Sequence, residues 1–262
     1  MKAECLASSS AGNCFILEFN INGEKAYIMI ECGLPIKEIY KKLSERKILL
    51  SQIKACLITH AHGDHSKSAN ALYDYGIEIF AEKRTIEQLS IKGKELIVEK
   101  PNRVLNGLFV MPFEVEHDCP GSVGFVIKTK EECVIFVNDH KRWTCNLSNF
   151  KPDYVFIECN YDQKVVYAQY HALKKEKDNG DIDETQLKEI NTKMNQHERN
   201  LNSHCSLAGT IKGLEKLNLR HCKAIFLMHL SDRYANEYKM KNEIEKRFLI
   251  KTYACQRNGG IK

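Results

Sequence analysis

Three histidines and one aspartate lie within six positions of one another in "CLITHAHGDHSKS", residues 56–68. His60 ends a short apolar run, and the period of two along a strand places His60 and His62 on the same side of the chain. Gly63 is expected to let the backbone turn tightly, so that Asp64 and His65 face the same volume from the start of a helix. Neutral imidazoles and a carboxylate suit zinc, or manganese and iron, and this number of ligands predicts two ions.

The spacing His-x-His-x-Asp-His resembles the signature of the metallo-β-lactamase superfamily, whose fold is an αββα sandwich. The resemblance implies further ligands at strand ends, and the chain offers His117, Asp139 and His229 in that order. It also implies how seven ligands divide between two metals: His60, His62 and His117 in a first site, Asp64, His65 and His229 in a second, and Asp139 as the bridge. The implied cofactors are two divalent transition-metal ions per chain, Zn²⁺ or Mn²⁺.

A finer resemblance covers nearly the whole chain and concerns the YycJ/WalJ branch of that superfamily. Three segments, "CLASSSAGNCFIL" at 5–17, "ECNYD" at 158–162 and "SHCSLAG" at 203–209, are similar to the branch patterns Ser-Gly-Ser-x-Gly-Asn, Glu-x-Asn-His-Asp and Gly-His-Leu-Ser-Asn. The chain departs from the branch at five positions outside the expected ligands: Ser9, Glu31, Tyr161, Ser203 and Ala208. These departures affect expected substrate contacts and leave the metal ligands in place.

Members of this branch include DNA exonucleases, so the resemblance implies attack of a metal-bound hydroxide on a phosphodiester. Asp64 would orient the hydroxide while it ligates a metal. Ser8, Ser10 and Asn13 offer hydrogen bonds to a phosphate, although they could instead cap a turn. His204 precedes a predicted helix and would contact the scissile phosphate or protonate the leaving oxygen, the alternative being a hydrogen bond to its own loop.

Two other functions stay open at this level. The same metal pair could hydrolyse a small ester, thioester, lactone or β-lactam, or the chain could be a metal-binding protein without turnover. The complete ligand set argues against a protein without turnover. Nucleic acid is the expected substrate, and a formal net charge of +5 is compatible with it. The sequence contains neither a compact block of Lys and Arg nor a cluster of aromatic residues on which bases could stack, the two patterns that would indicate nucleic acid binding.

The composition indicates a globular protein of the cytoplasm. No apolar run is long enough for a membrane span, and the N-terminal residues lack the pattern of a signal peptide. The 11 cysteines include no CxxC pair and lie mostly in strand-like runs, which predicts reduced, buried thiols and no disulfide-linked partner.

The elements that must position these residues are many short β-type runs with helices between them. This pattern predicts an α/β fold with two sheets packed face to face and helices outside, in a single domain over residues 1–262. Thr85 and Gln88 fit a capping box at a helix start. Residues 163–200 are highly charged and lack strand patterning, which predicts an inserted helical hairpin that could form a rim around the site. His197, within this segment, is expected to be solvated.

Overall fold

Side chains along strand β2 (Gly12–Ile21) alternate between two hydrophobic layers, as the period of two in a strand requires. Phe15 and Leu17 belong to a core that also contains side chains of a second sheet. Ile16 belongs to a different layer, on the opposite face of the same sheet. A strand with apolar residues on both faces is typical of a sheet that is covered on both sides.

Two β-sheets form the centre of the structure, a computed structural model that describes residues 1–178 and 183–262. The first sheet has six strands in the order of the chain: β1 (Lys2–Ser9), β2, β3 (Glu24–Ile30), β4 (Ile53–Ile58), β5 (Glu78–Ala81) and β6 (Lys94–Glu95). The second sheet contains β7 (Asn102–Leu105), β8 (Leu108–Glu116), β9 (Val123–Lys128), β10 (Cys133–Val137), β11 (Arg142–Trp143), β12 (Tyr154–Glu158), β13 (Ala224–Met228) and β14 (Thr252–Ala254). Its spatial order is β11-β8-β9-β10-β12-β13-β14, with β7 paired to β8.

Helices cover the outer face of each sheet. The described helices are α1 (Ile36–Glu45), α2 (Gly63–Ser66), α3 (Ala69–Asp74), α4 (Lys83–Leu89), α5 (Gln163–Asp178), α6 (Glu184–Ser203), α7 (Leu207–Glu215) and α8 (Glu237–Phe248). Ile39 of α1 and Leu72 of α3 pack on the first sheet, and Leu214 of α7 and Met240 of α8 pack on the second. The predicted αββα sandwich is therefore confirmed. Within the described ranges, no helix has both the length and the apolar character that crossing a membrane requires.

The inserted segment forms the predicted helical hairpin from α5 and α6. Val166 of α5 is fully buried in a small apolar cluster with Tyr161 and Tyr234, which attaches the hairpin to the sandwich. His197 of α6 is also buried, with its ring 4.9 Å from the ring of Tyr234 and its Nδ1 2.6 Å from the carbonyl oxygen of Lys193. The expectation that His197 is solvated was wrong, because the hairpin packs this face of α6 against the loop that follows β13.

The start of α4 also differs from the prediction. Its N-cap is Glu82, whose carboxylate accepts a hydrogen bond of 2.8 Å from the backbone N–H of Arg84. Thr85 lies inside the helix and is buried, and its hydroxyl points toward the carbonyl of Gly121 at 3.4 Å. The capping box predicted for Thr85 and Gln88 is therefore wrong, because a carboxylate three residues earlier takes the capping role.

Candidate metal centre

Three residues that follow strand ends have left-handed backbone conformations: Glu31 after β3 (φ 62°), Asp139 after β10 (φ 40°) and His229 after β13 (φ 54°). This conformation costs a non-glycine residue of order 1–3 kcal/mol and persists where the surrounding structure fixes it. Each of the three contacts another titratable side chain of the site described below. The backbone strain is thus located at the carboxyl ends of these strands, where the charged side chains of the site begin.

The first histidine group consists of His60, His62 and His117. Nε2 of His60 and Nε2 of His117 lie 3.1 and 3.3 Å from Nδ1 of His62. Atoms bound to tetrahedral zinc at 2.0–2.1 Å are about 3.3–3.4 Å apart, so these nitrogens have the spacing that a zinc ion needs. In His60 and His117 the second ring nitrogen, Nδ1, also has a hydrogen-bond partner. Nδ1 of His60 lies 2.9 Å from the Thr59 hydroxyl, and Nδ1 of His117 lies 3.0 Å from the carbonyl oxygen of Ser203.

A second group, the carboxylate group, consists of Asp64, His65 and Asp139. Nε2 of His65 lies 3.5 Å from Asp64 Oδ2 and 3.2 Å from Asp139 Oδ2. The other ring nitrogen, Nδ1, lies 3.2 Å from Glu31 Oε1 and is thereby oriented. The rings of His60 and His65 are 4.1 Å apart between centroids, so the two groups adjoin.

His229 lies on the far side of Asp139. Its Nδ1 is 2.9 Å from Asp139 Oδ1 and 3.4 Å from Glu158 Oε1, and the same Glu158 oxygen is 2.7 Å from Nδ1 of His204. The structure therefore groups His229 with Asp139, Glu158 and His204, and not with the other two ligands of its expected site. The left-handed turn at His229 and the buried Glu158 carboxylate together orient the ring in this way.

The charge states of these groups follow from burial and mutual contact. Burial, with the neighbouring His65 ring, lowers the pKa of His60 well below its usual value, and burial also lowers the pKa of His117. Burial opposes the ionisation of Asp139, but His229 and His65 outweigh it and hold the Asp139 pKa well below its usual value. Burial likewise opposes the protonation of His229, but Asp139 raises its pKa to about 10. The neutral imidazoles of His60 and His117 and the ionised carboxylate of Asp139 are donor states that divalent metals bind, and His229 would release its proton on binding one, so the donor set fits a metal.

The backbone of Gly33 passes directly over the loop that carries the aspartate and histidine of the carboxylate group. A Cβ atom at Gly33 would lie 1.7 Å from the backbone oxygen of Asp64 and 2.7 Å from the backbone nitrogen of His65. A Cβ atom at Gly63 would contact nothing within 4 Å, and its φ is not left-handed. Gly63 begins α2 directly after His62, so Asp64 and His65 project from the start of that helix as predicted, but this position does not require a glycine, and the close approach is made by Gly33.

An open cavity of about 400 Å³ lies over these groups. Its lining includes His62, Asp64, His117, Asp118, Asp139, His204 and His229, with Gln196 and Ser203 from the hairpin. Ser10 also lines it, with Oγ 3.3 Å from Nε2 of His229. Ser8 and Asn13 are buried in the layer beneath: Ser8 accepts a hydrogen bond of 2.8 Å from the backbone N–H of His229, and Nδ2 of Asn13 lies 3.1 Å from Nε2 of His65. Of the three expected phosphate contacts, Ser10 has the position that such a contact needs.

A protein-family model described as the metallo-beta-lactamase superfamily matches residues 9–79. Among solved structures, the metallo-beta-lactamase fold protein YhfI of Bacillus subtilis superposes on this chain with a TM-score of 0.66 and 12% identity, covering 99% of this chain and 98% of YhfI. This chain has the metallo-β-lactamase fold. The resemblance that the spacing of His60, His62, Asp64 and His65 indicated is confirmed.

Two nucleases are also similar to this metallo-β-lactamase-fold chain. Exodeoxyribonuclease WalJ of Streptococcus pneumoniae is 23% identical over 185 residues, which cover 66% of this chain and 67% of WalJ. The short form of human tRNase Z superposes with a TM-score of 0.56 and 14% identity, covering 89% of this chain and 94% of that chain. The histidine and carboxylate clusters of this fold could hold metal ions.

Three carboxylates of this metallo-β-lactamase-fold chain that contact candidate ligands were not predicted as site residues: Glu31, Asp118 and Glu158. Glu158 ends β12, which pairs in parallel with β10 and β13, the strands that precede Asp139 and His229. Carboxyl ends of parallel neighbours meet at one sheet edge, so a strand order would have identified Glu158. Asp118 directly follows His117 and places Oδ1 3.1 Å from its Nε2, and sequence adjacency was the available signal.

His140 is next to Asp139 in the sequence. Its side chain is buried, with the ring 5.4 Å from Trp143 and Nδ1 3.6 Å from Glu158 Oε2. Burial lowers the pKa of His140 to about 4, so the ring is neutral. It does not line the cavity and instead packs behind Glu158.

Proposed function

We propose that this chain is a metal-dependent phosphodiesterase that shortens DNA strands from an end. The observation that carries the proposal is the 3.1–3.3 Å spacing among the nitrogens of His60, His62 and His117, beside the carboxylate group and at an open cavity. The similarity to the exodeoxyribonuclease WalJ supports DNA as the substrate.

Two divalent ions, Zn²⁺ or Mn²⁺, are the proposed cofactors. The histidine group would hold one ion. Asp64, His65 and Asp139 would supply ligands to the other ion, and His229, which contacts Asp139, is a further candidate ligand for it. Bound in this way, a metal pair supplies Lewis-acid activation of water and stabilises charge on the phosphate oxygens.

The side chains around the cavity have separable roles in this reaction. Asp64 lines the cavity, and its carboxylate can orient a water molecule toward the phosphorus. Burial opposes protonation of His204, but the Glu158 carboxylate outweighs it and raises the His204 pKa. A protonated His204 can donate its proton to the leaving oxygen. The Ser10 hydroxyl, which faces the same cavity, can donate to a phosphate oxygen.

The test uses purified protein with Mn²⁺ or Zn²⁺ and DNA oligonucleotides labelled at the 5′ or the 3′ end, single-stranded and double-stranded. Progressive loss of nucleotides from one end is expected. Asp139→Ala, purified in the same way, is the control for contaminating nucleases, because it removes a carboxylate that contacts both His65 and His229. A β-lactam and a thioester are tested in parallel. Their turnover, with every oligonucleotide intact, would replace the phosphodiesterase proposal by hydrolysis of a small ester.

A further inference from the structure

The cavity over the metal centre continues into a second cavity. The second one has a volume of about 200 Å³ and shares four lining residues with the first: Ser10, His229, Ser231 and Arg233. It extends to Arg257, which also lines a third cavity of about 180 Å³ together with Ser231 and Asp232. We call the path formed by Ser10, Ser231, Arg233 and Arg257 the arginine groove.

Among the described residues that line the metal cavity and the second cavity, the Lys and Arg side chains are those of Arg233 and Arg257. Among the described residues that line the metal cavity, three are aspartates and Arg233 is the one Lys or Arg. Arg257 is the next cation along the path. Ser10 and Ser231, which have hydroxyl groups, line both the metal cavity and the second cavity. Arginine and hydroxyl groups are the side chains that contact phosphate oxygens in nucleic acid complexes.

Both guanidinium groups are placed so that a ligand could reach them. Arg233 is exposed and donates one hydrogen bond of 3.1 Å to Oε1 of Gln196 on the hairpin, which leaves most of its five N–H donors for another partner. Arg257 forms an ion pair with Asp232, and about half of each side chain is exposed. An exposed ion pair of this kind is worth little, so a phosphate can replace the carboxylate at small cost.

We propose that the arginine groove binds the part of a nucleic acid strand that adjoins the scissile phosphate, with Arg233 contacting the nearer phosphate and Arg257 the next one. The inference rests on the proposed phosphodiesterase function and names its substrate class as a strand with at least two phosphates beside the scissile one. Gln196 orients Arg233 from the hairpin, and Asp232 competes with the strand for Arg257.

The experiment measures binding of a ten-residue phosphorothioate oligothymidylate, which resists hydrolysis, to the metal-loaded protein at several salt concentrations. Arg233→Ala and Arg257→Ala should each weaken binding about tenfold, since a hydrogen bond to a charged group is worth about 1.5–3 kcal/mol. Each should also reduce the slope of log K against log salt by about 0.7, the value for one phosphate on a single strand. Asp232→Asn should strengthen binding, because it releases Arg257.

Two further variants separate the inference from simpler explanations. Gln196→Ala removes the hairpin contact of Arg233 but keeps the guanidinium, so it should weaken binding less than Arg233→Ala. Arg103→Ala removes an exposed charge on β7, outside the groove, and should bind as the unaltered protein does. In Arg257→Ala, oligonucleotide affinity should fall about tenfold. The rate of hydrolysis of bis(p-nitrophenyl) phosphate, which has a single phosphate, should be nearly unchanged.

Unchanged oligothymidylate binding in both arginine variants would overturn the inference. So would absence of binding by the unaltered protein at the lowest salt, or equal binding of a polyglutamate peptide with the same salt slope. If the variants lose affinity as expected but neither the oligonucleotides nor bis(p-nitrophenyl) phosphate is hydrolysed, the groove stands as a strand-binding site and the phosphodiesterase function fails.

Discussion

Oε1 of Glu158 lies 2.7 Å from Nδ1 of His204 and 3.4 Å from Nδ1 of His229. One buried carboxylate oxygen thus holds two imidazoles of the candidate site. A second oxygen, Oε2, accepts a hydrogen bond of 2.8 Å from the backbone N–H of His140, so the carboxylate is fixed from both sides. Glu158 therefore links the proposed proton donor to a proposed metal ligand.

Glu158→Gln should reduce metal affinity or turnover by about 10–100-fold, the usual effect of removing a partner that orients ligands. Glutamine keeps the shape of the side chain but removes the charge that raises the pKa of His204. The measurement is metal content by elemental analysis and turnover on the same preparation. Glu24→Gln, at an exposed position at the start of β3, is the matched control. Full activity and full metal content in Glu158→Gln would contradict the linking role.

His204→Ala should retain metal and lose at least about 100-fold in turnover, the lower range for removal of a general acid. The ring lines the cavity and contacts the proposed ligands only through Glu158 and ring packing. The exposed His171 on α5 provides a matched control, since His171→Ala removes an imidazole that does not line the cavity. Unchanged turnover would remove His204 from the catalytic set, and loss of metal would make it a ligand.

Gly33→Ala should destabilise the protein by about 3 kcal/mol or more and abolish metal binding. The added methyl group would overlap the backbone of Asp64, and backbone cannot move aside as a flexible side chain can. Gly63→Ala, next to Asp64 in the sequence, should stay within about 1 kcal/mol of the unaltered protein because its methyl group meets open space. Urea unfolding and metal content measure both effects. Similar stability of the two variants would show that the Gly33 contact is not required.

Removal of metal should lower the melting temperature. An ion present at 100 times its Kd stabilises the folded state by about 2.7 kcal/mol per site. For a chain of this size, that corresponds to a decrease of roughly 5–10 °C per site when a chelator is added. Elemental analysis before chelation should give two ions per chain. Asp139→Ala should show a smaller response, and a melting temperature that a chelator leaves unchanged would contradict the metal assignment.

The sequence was sufficient to predict the sandwich and to bring together the first candidate ligands because both signals are local. Alternating apolar residues marked the strands, and His60, His62, Asp64 and His65 lie within one loop. Glu158 depends on the parallel pairing of β12 with β10 and β13, which joins residues far apart in the chain. Spacing along one strand carries no information about such a neighbour.

Spatial contacts also explain the errors among small residues. Gly63 is next to the ligands in the sequence and was expected to provide the tight turn, but Gly33 makes the close approach from a different loop. Ser8 and Asn13 were expected to contact a phosphate, and the structure instead buries them against His229 and His65. Whether a polar residue near a site faces the cavity or supports a ligand depends on packing between layers, which the strand pattern does not contain.

The hydrogen bond from the backbone of His229 to the hydroxyl of Ser8 joins the first strand to a ligand near the end of the chain. During synthesis, β1 leaves the ribosome long before β13, so this contact can form only when most of the protein has been made. Contacts between such distant residues form slowly because the intervening loop must close first. The proposed second ion would therefore gain His229 as a ligand only after β13 has joined the sheet. A partly synthesised chain would present Asp64 and His65 without His229, although His60, His62 and His117 would already be present.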